Sequence, residues 1–401
     1  MRRLLIILAV VIVLAGIGVA VYFYFFGSAA VVVAPEESAG LPVAGQETFP
    51  VSGEGEGGEG EGIDAAVPVS ARLVKISAGP VARGEIVVNT PGNASSSPAT
   101  TVSYIEQTSG NVFTYSLQAQ TITRTSNRTL PGIQSAAWLP DASLAFVRYL
   151  SGEDSSTINT YALPADGSLS GGFFLPQNLA DITVSSASLL LLASGADGSV
   201  AKLTHPDGSR ASEIFSTPLS SLRVSFAGKD SYLAYTKPSV TLPGNAFLVD
   251  SAGRFSRVAG PLDGLAALAS PSGAWVLVSY TLDDEMQMEL VNTATGEELP
   301  LPVATIADKC AWAADDSAVY CGIPMDPPPG AAYPDDWYQG ALRFSDRIWK
   351  IQVANRYAQL VLDFNKETGE ELDAEALALD PLLTTLVFVN RNDDSLWSYS
   401  L

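Results

Sequence analysis

A short unit recurs along residues 71–401: an apolar strand, a turn of Pro, Asp, Ser or Gly, and a second apolar strand. The unit is found at 136–149, 183–194, 224–238, 268–280, 310–324 and 377–390. Its turns lie 45, 43, 43, 44 and 66 residues apart, and the last step holds an extra segment near 325–345. A repeat of roughly 40–50 residues built from short strands is typical of β-propeller blades. We therefore predict an all-β propeller.

Each unit continues into two further strand-like segments with hairpin-turn chemistry at their tips. These tips are Asp166-Gly167, Asp207-Gly208, Ser251-Ala252-Gly253 and Thr295-Gly296. Each blade should therefore be a four-stranded meander. We expect seven blades, over approximately 84–125, 134–170, 180–216, 220–258, 264–302, 305–362 and 375–401. Six or eight blades, or a pair of β-sandwiches, are the alternatives.

The last blade ends after its third strand, in the segment SLWSYSL. A sheet edge left without a partner presents unpaired backbone N–H and C=O groups. The segment RLVKIS at 72–77 is suited to pair with this edge. We expect it to supply the fourth strand and to close the ring.

Several turns carry a recognisable motif. They resemble the W-S-P-D-G-x-x-L-A-F repeats of TolB-like β-propellers, which are related to the WD-repeat class; the matches are Trp138-Leu139-Pro140-Asp141, Ser270-Pro271-Ser272-Gly273 and Trp312-Ala313-Ala314-Asp315-Asp316. The resemblance covers most of residues 100–401 and implies a propeller fold. Other blades depart from it, with Ser185-Ser186 and Gly228-Lys229 in place of Pro-Asp. The resemblance therefore says little about a partner.

The N-terminal region predicts a membrane anchor. Residues 4–26 are 23 consecutive uncharged, mostly apolar positions, enough for a helix to cross a bilayer. Arg2 and Arg3 precede this span and the next basic residue is Arg72. The positive-inside rule then places residues 1–3 in the cytoplasm and the rest outside it, in the periplasm or on the cell surface. A cleaved signal peptide is the alternative.

The segment that follows predicts a spacer. Residues 27–70 contain no Lys or Arg, and 53–62 read GEGEGGEGEG. Glycine gives the backbone no preferred conformation and the glutamates repel one another. We expect a flexible, disordered acidic linker over 27–70 and the folded domain over 71–401. The formal net charge of −21 argues against a nucleic-acid partner, because phosphate binding needs clustered Lys and Arg.

The two cysteines, Cys310 and Cys321, flank the turn at Asp315-Asp316. Equal spacing from that turn places them opposite each other on antiparallel strands, where Cα atoms approach to about 4.5 Å at a non-hydrogen-bonded position. Disulfides form at such separations outside the cytoplasm. We predict a disulfide, with two free buried thiols as the alternative.

The extra segment at 325–345 is the most informative candidate for a binding site. It follows the second strand of a blade, so it should lie on the same face as the blade-to-blade connections. It concentrates large rings and carboxylates, which suit contacts with a protein or a glycan: Tyr333, Asp335, Asp336, Trp337 and Tyr338. The alternative is that this loop caps the channel or packs on a neighbouring blade.

The sequence offers no catalytic residue, metal site or cofactor motif. The single histidine, His205, lies in a hairpin tip, and no G-x-S-x-G elbow accompanies it. Two cysteines are too few for the usual four-ligand zinc site. The acidic run at 363–373 departs from a calcium loop, since its glycine comes one place late and position 12 is Ala374.

We therefore predict a non-catalytic binding or scaffold module of the cell envelope, with a protein or glycan partner and with residues 4–26 in the bilayer. The alternative is an envelope enzyme, a hydrolase or lyase acting on glycan or peptide, that uses carboxylates at the channel mouth. Close, buried carboxylates there would favour the enzyme, and a smooth polar channel would favour the binding module. A sensor would need a membrane-spanning partner, since only residues 1–3 lie inside.

Overall fold

The computed structural model describes residues 48–50, 67–70, 72–77, 79–90, 99–126, 128–152, 155–166 and 172–401, all within the unit Gln46–Leu401. The predicted span at 4–26, the cytoplasmic residues 1–3 and the Gly/Glu run at 53–62 lie outside these residues. No helix in the described part of the chain has the length and apolar character needed to cross a membrane.

The described strands form seven antiparallel sheets that follow one another along the chain. Three strands precede the first blade: β1 (Thr48–Pro50), β2 (Val67–Pro68) and β3 (Leu73–Lys75). Blade 1 contains β4 (Ile86–Thr90), β5 (Ala99–Ile105), β6 (Val112–Ser116) and β7 (Thr121–Arg124). Blade 2 contains β8 (Ile133–Trp138), β9 (Leu144–Ser151), β10 (Thr157–Pro164) and β11 (Phe173–Phe174). Blade 3 contains β12 (Leu179–Val184), β13 (Leu189–Gly195), β14 (Gly198–Thr204) and β15 (Ser212–Thr217).

The remaining four blades repeat this order. Blade 4 contains β16 (Leu222–Phe226), β17 (Ser231–Thr236), β18 (Gly244–Asp250) and β19 (Phe255–Leu262). Blade 5 contains β20 (Ala266–Ala269), β21 (Trp275–Leu282), β22 (Glu285–Asn292) and β23 (Glu298–Pro300). Blade 6 contains β24 (Cys310–Trp312), β25 (Ala318–Pro324), β26 (Asp346–Gln352) and β27 (Ala358–Asp363). Blade 7 contains β28 (Ala374–Leu379), β29 (Thr385–Asn390) and β30 (Ser395–Ser400).

The first strands of the blades lie side by side. Contacts join β4 to β28, β8 to β12, β12 to β16, β16 to β20, and β24 to β28. Between blades 5 and 6, a 3-10 helix (Ala307–Lys309) lies against β20. The first strands therefore surround a central channel, and the predicted seven-bladed propeller is confirmed. In such meanders the second-to-third-strand and blade-to-blade connections share one face, which we call the upper face.

The ring is closed as the sequence predicted. In β3, Leu73 pairs with Tyr399 of β30, so the segment before blade 1 becomes the fourth strand of blade 7. Two further strands extend sheet edges: β2 pairs with β3, and β1 pairs with β7. Residues 48–50 and 67–68 are thus sheet strands, and assigning them to the flexible linker was wrong. The reason is that each outer strand offers free backbone groups to a passing segment.

The central strands of several blades are buried along their whole length, which explains their continuous apolar runs. Every residue of β25 and of β29 is buried. Alternation fails there because the neighbouring blades cover both faces of the sheet. Each interface between blades is therefore part of the core.

The predicted disulfide is confirmed. Cys310 of β24 lies directly opposite Cys321 of β25, and their Cα atoms are 4.1 Å apart. Both side chains are buried. The bond joins the first two strands of blade 6 close to the connection that carries the insertion.

Two short α-helices lie in upper-face connections, α1 (Asp335–Tyr338) in the insertion and α2 (Phe364–Thr368) between blades 6 and 7. The second helix occupies the run that faintly resembled a calcium loop. Asp363 caps this helix by accepting a hydrogen bond from the backbone N–H of Lys366.

Candidate functional site

A cavity of about 360 Å³ lies at the upper face, beside the channel-lining strands of blades 3, 4 and 5. We call it the mouth pocket. Blade 2 contributes a residue near the end of β9, and the connection before β24 closes the far side. Its lining residues are Arg148, Ala180, Asp181, Arg223, Val224, Ser225, Tyr235, Ala267, Leu268 and Asp308.

Arg148 is the unusual cation of the mouth pocket. Its Nη2 group donates to the carbonyl oxygen of Leu179 at 2.6 Å, and more distantly to that of Ala180 at 3.5 Å. Among the described residues, Arg148 forms no ion pair, unlike Arg223 and Arg391. Burial lowers the pKa of Arg148, and the Asp181 charge opposes that effect only in part. A cation removed from water without a close counter-charge favours an anionic ligand.

Two hydrogen-bond donors in this lining have no partner among the described residues. They are Arg148 Nε and Ser225 Oγ, and both atoms are buried. Leaving a buried donor without an acceptor costs about 1–3 kcal/mol. A ligand oxygen that accepts from them would remove this cost, once neighbouring side chains move to expose the two buried atoms.

The opposite wall is neutralised by its own residues. Arg223 forms an ion pair with Asp308 at 2.5 Å, and Tyr338 donates its hydroxyl to the same carboxylate at 2.8 Å. Burial alone would lower the pKa of Arg223, but Asp308 and Tyr235 outweigh it and the net direction is upward. Burial raises the pKa of Tyr235, helped by the Asp308 charge. This wall therefore holds its charges without a ligand.

Asp181 fixes the first strands of blades 3 and 4 against each other. Its carboxylate accepts from the backbone N–H of Val224 at 3.0 Å and from that of Ile182 at 2.9 Å. Burial raises its pKa, while these hydrogen bonds and the nearby arginines oppose the shift. Asp181 thus uses its oxygens in the scaffold and leaves Arg148 only partly compensated.

A second charged group lies on the upper face where blades 7 and 1 meet. We call it the glutamate cluster, and it contains Arg83, Glu85, Glu375, Arg391 and Asp394. One carboxylate oxygen of Glu375 forms an ion pair with Arg83. The other oxygen lies 2.8 Å from Nη1 of Arg391. Arg83 also lies 3.8 Å from Asp394. Glu375 is thereby paired with two arginines.

Glu85 differs from its neighbour Glu375. Both of its oxygens are buried and have no hydrogen-bond partner among the described residues. Burial raises its pKa to about 8, and the charge of Glu375 adds to the rise. Glu85 is therefore a neutral carboxylic acid at pH 7, beside Glu375, which is ion-paired with two arginines. A buried carboxylic acid with a raised pKa is common at functional sites.

Two rings of the insertion connect the glutamate cluster to the mouth pocket. Trp337 is buried, donates its Nε1–H to Asp373 at 3.1 Å, and lies under the Arg391 guanidinium at 4.4 Å. Arg391 also donates to the Trp337 carbonyl at 2.6 Å. The adjacent Tyr338 contacts Asp308 and lies 5.2 Å from the Arg223 guanidinium. Of the five predicted binding residues, Tyr338 is the one that adjoins the mouth pocket.

The other three predicted residues hold the insertion in place. Tyr333 is buried and packs on Phe344, with ring centroids 6.1 Å apart. Asp335 accepts from the backbone N–H of Val240 at 2.6 Å, which reaches across to blade 4. Asp336 accepts from the backbone N–H of Ala332 at 2.8 Å. That the five residues bind a partner stays a prediction.

Sequence reasoning missed the charged residues of both upper-face groups. Asp181, Arg223 and Glu375 occupy the second or third position of a first strand. A usable signal was present, because a charged residue at the start of a channel-lining strand must face either the channel or a neighbouring blade. Arg148 carried no comparable signal, since it lies late in a second strand.

Together, the fold and site define a seven-bladed β-propeller with a charged pocket at one mouth of its channel. No protein-family model and no curated protein matches the chain. Among solved structures, an oligogalacturonate lyase from Vibrio parahaemolyticus matches with a TM-score of 0.53 and 8% identity, covering 82% of this chain and 93% of that one.

Two further solved structures illustrate the same likeness. An oligogalacturonate lyase in complex with manganese has a TM-score of 0.49 and 10% identity, covering 80% of this chain and 98% of that one. The β-propeller domain of the Trilobed protease from Pyrococcus furiosus has a TM-score of 0.47 and 9% identity, covering 84% and 92%. At these identities the likeness shows the fold alone.

The expectation that this protein is not an enzyme was wrong. It rested on the absence of a recognisable catalytic motif in the sequence. The lyase from V. parahaemolyticus matches over 93% of its own length, so a propeller of this kind can itself form the body of an enzyme. The upper face also holds the buried carboxyl groups of Glu85 and Glu375, which interact electrostatically and which a smooth polar channel would lack.

Proposed function

We propose that this protein is an envelope module that binds the C-terminal carboxylate of a partner protein in the mouth pocket. The observation that carries the proposal is Arg148, a partly desolvated guanidinium with an unpartnered Nε–H, which lines the same cavity as the unpartnered hydroxyl of Ser225. A carboxylate can accept from both donors. Hydrogen bonds between charged partners contribute about 1.5–3 kcal/mol each.

The rest of the lining favours a peptide over an acidic sugar. Ala180 and Leu268 are apolar residues of the lining, while Val224 and Ala267 also line the pocket but belong to the buried cores. An apolar terminal residue would pack there while its carboxylate meets Arg148. The volume of about 360 Å³ suits one or two residues of an extended chain.

The proposed location is outside the cytoplasm, with residues 4–26 as the membrane anchor. The disulfide between Cys310 and Cys321 supports it, because such bonds persist in oxidising compartments. The net charge of −21 also keeps the domain off anionic lipid headgroups. A protein partner of the envelope could then approach the upper face.

A pair of short acetylated peptides ending in leucine, one with a free carboxylate and one amidated, tests this function. Titrated into the full-length protein in detergent, the acid should bind at least about tenfold more tightly than the amide. Arg148→Gln should remove this difference, because it removes the cation and the free donor. Arg257→Gln, at an exposed arginine of β19, is the matched control and should change neither affinity.

Equal binding of the two peptides, or an acid preference that survives in Arg148→Gln, would overturn the proposal. Trigalacturonate is a further arm of the same titration. If trigalacturonate binds, neither peptide binds, and Arg148→Gln no longer binds trigalacturonate, the peptide assignment is overturned. The ligand would then be an acidic glycan.

Acid–base catalysis on a bound glycan or peptide is a second candidate, which the pair of Glu85 and Glu375 favours. Neutral Glu85 would donate a proton, and the neighbouring Glu375 would stabilise positive charge. Since the Glu85 oxygens are closed off from solvent, the reaction requires the Arg83 segment to move. Glu85→Gln should lower the turnover of acidic oligosaccharides or peptides about 10²–10⁴-fold. Mass spectrometry of the products measures this turnover.

Glu289→Gln is the matched control for this assay. Glu289 is another buried glutamate whose pKa burial raises, but it lies in β22 away from the cluster. Its variant should keep full turnover. Turnover that is equal in Glu85→Gln and wild type, or no turnover by wild type, would exclude this candidate.

A further inference from the structure

A second cavity, of about 690 Å³, lies on the outer side of blade 6. We call it the outer cavity. The insertion, the start of β26, the end of β27 and the blade 7 connection at Asn392 enclose it. Phe344 separates it from the buried centre of the insertion. None of its lining residues lines the mouth pocket.

Three oxygen acceptors in the outer cavity are buried and lack a hydrogen-bond partner among the described residues. They are Asp346 Oδ1, Asp363 Oδ2 and Asn392 Oδ1. The Asp346 side chain is fully buried, and its other oxygen receives Lys309 at 2.8 Å and the backbone N–H of Ala374 at 2.7 Å. Its Oδ1 accepts no hydrogen bond, and because this atom is closed to solvent, a ligand reaches it only when a neighbouring side chain moves.

One donor in the same cavity is also unpartnered. Arg347 Nε lies 2.9 Å from Asp363 Oδ2, but the two atoms are not aligned as a hydrogen bond. Arg347 Nε and Lys366 Nζ, the latter at 3.4 Å, balance the charge of Asp363 Oδ2, but neither is aligned with that oxygen as a hydrogen bond. The cavity thus presents several acceptors and a donor.

A hydroxyl group matches this combination, because it both donates and accepts. A polyamine would satisfy the three acceptors but would leave Arg347 Nε without one. A carboxylate would meet Asp346 and Asp363 at close range. Four carboxylates and three cations line the cavity, so a neutral ligand fits its charge as well.

We propose that the outer cavity binds a neutral saccharide. Ring hydroxyls donate to Asp346, Asp363 and Asn392, and one of them accepts from Arg347. The volume lies within the usual range for small-ligand sites, about 300–1,000 Å³. This site is separate from the mouth pocket and does not depend on the function proposed there.

The probes are maltose, cellobiose and N,N′-diacetylchitobiose, with spermidine as the cationic contrast. Each is titrated into the full-length protein and followed by saturation-transfer NMR. At least one disaccharide should bind, spermidine should not, and Arg347→Met and Asn392→Ala should each weaken binding about tenfold or more. Arg356→Met, at an exposed residue of the same blade, should change nothing.

Arg148→Gln should also leave saccharide binding intact, which separates this site from the mouth pocket. Thermal unfolding of each variant confirms that a loss of binding is not a loss of fold. Absence of binding by all three disaccharides at millimolar concentration would overturn the proposal. So would saccharide binding that both cavity variants leave unchanged, or binding of spermidine alone.

Discussion

Lys309→Met should lower the free energy of unfolding by about 3–5 kcal/mol. Lys309 is fully buried and forms ion pairs with Asp346, at 2.8 Å, and with Asp373, both of which are fully buried as well. Removing one member of such a group leaves uncompensated buried charge, which costs about that much. Methionine keeps the length of the side chain, so packing changes little.

The loss should extend to the insertion, because Lys309 also lies 5.0 Å from the ring centres of Trp337 and of Phe344. Asp373 accepts from both the Trp337 side chain and the Phe344 backbone. Urea unfolding of the full-length protein measures the effect. Lys350→Met, on β26 of the same blade, is the control and should cost less than about 1 kcal/mol. Equal midpoints for the two variants would show that the buried group does not stabilise the fold.

Glu85→Gln should stabilise the protein by about 3 kcal/mol at pH 7, and by almost nothing at pH 4. The pKa of Glu85 rises from 4.5 to about 8 on folding. Between these values the folded state holds a proton that the unfolded chain has lost, so stability falls as the pH rises. Each pH unit of this window costs about 1.4 kcal/mol. Glutamine is neutral throughout and has no such cost.

Urea unfolding at several pH values between 4 and 8 measures this difference. Groups other than Glu85 titrate equally in both proteins, so the gap between the two curves isolates Glu85. Glu213→Gln, at an exposed glutamate, should run parallel to wild type. A constant gap between Glu85→Gln and wild type across this range would mean that Glu85 is not a buried neutral acid. A residue that lowers stability and lies within the charged cluster at the junction of blades 7 and 1 suits a functional role.

The blades could be predicted because one period of residues corresponds to one unit of structure. The turns near Pro140, Pro271 and Asp315 all lie between the first and second strands of a blade. Closure followed from the same logic, since blade 7 lacked a strand and 72–77 could supply it. The outer strands at 48–50 and 67–68 were not predicted, because a segment of two or three residues is too short to show an alternating apolar pattern.

The mouth pocket could not be predicted in the same way. Arg148, Arg223 and Asp308 come from blades 2, 4 and the connection before blade 6, so no local spacing links them. The aromatic residues of the insertion predicted a binding site, but Tyr333 and Trp337 are buried and anchor the insertion. The raised pKa of Glu85 depends on its burial. A sequence pattern predicts burial for apolar residues but not for a glutamate.

The Nε–H resonance of Arg148, assigned by its loss in Arg148→Gln, gives the most direct test of carboxylate binding in the mouth pocket. It should be followed by NMR in the full-length protein while the acid and the amidated peptide are titrated separately. A downfield shift that saturates with the acid peptide and is absent with the amide is the expected result. Binding of the acid peptide with this resonance unmoved would contradict the proposed site.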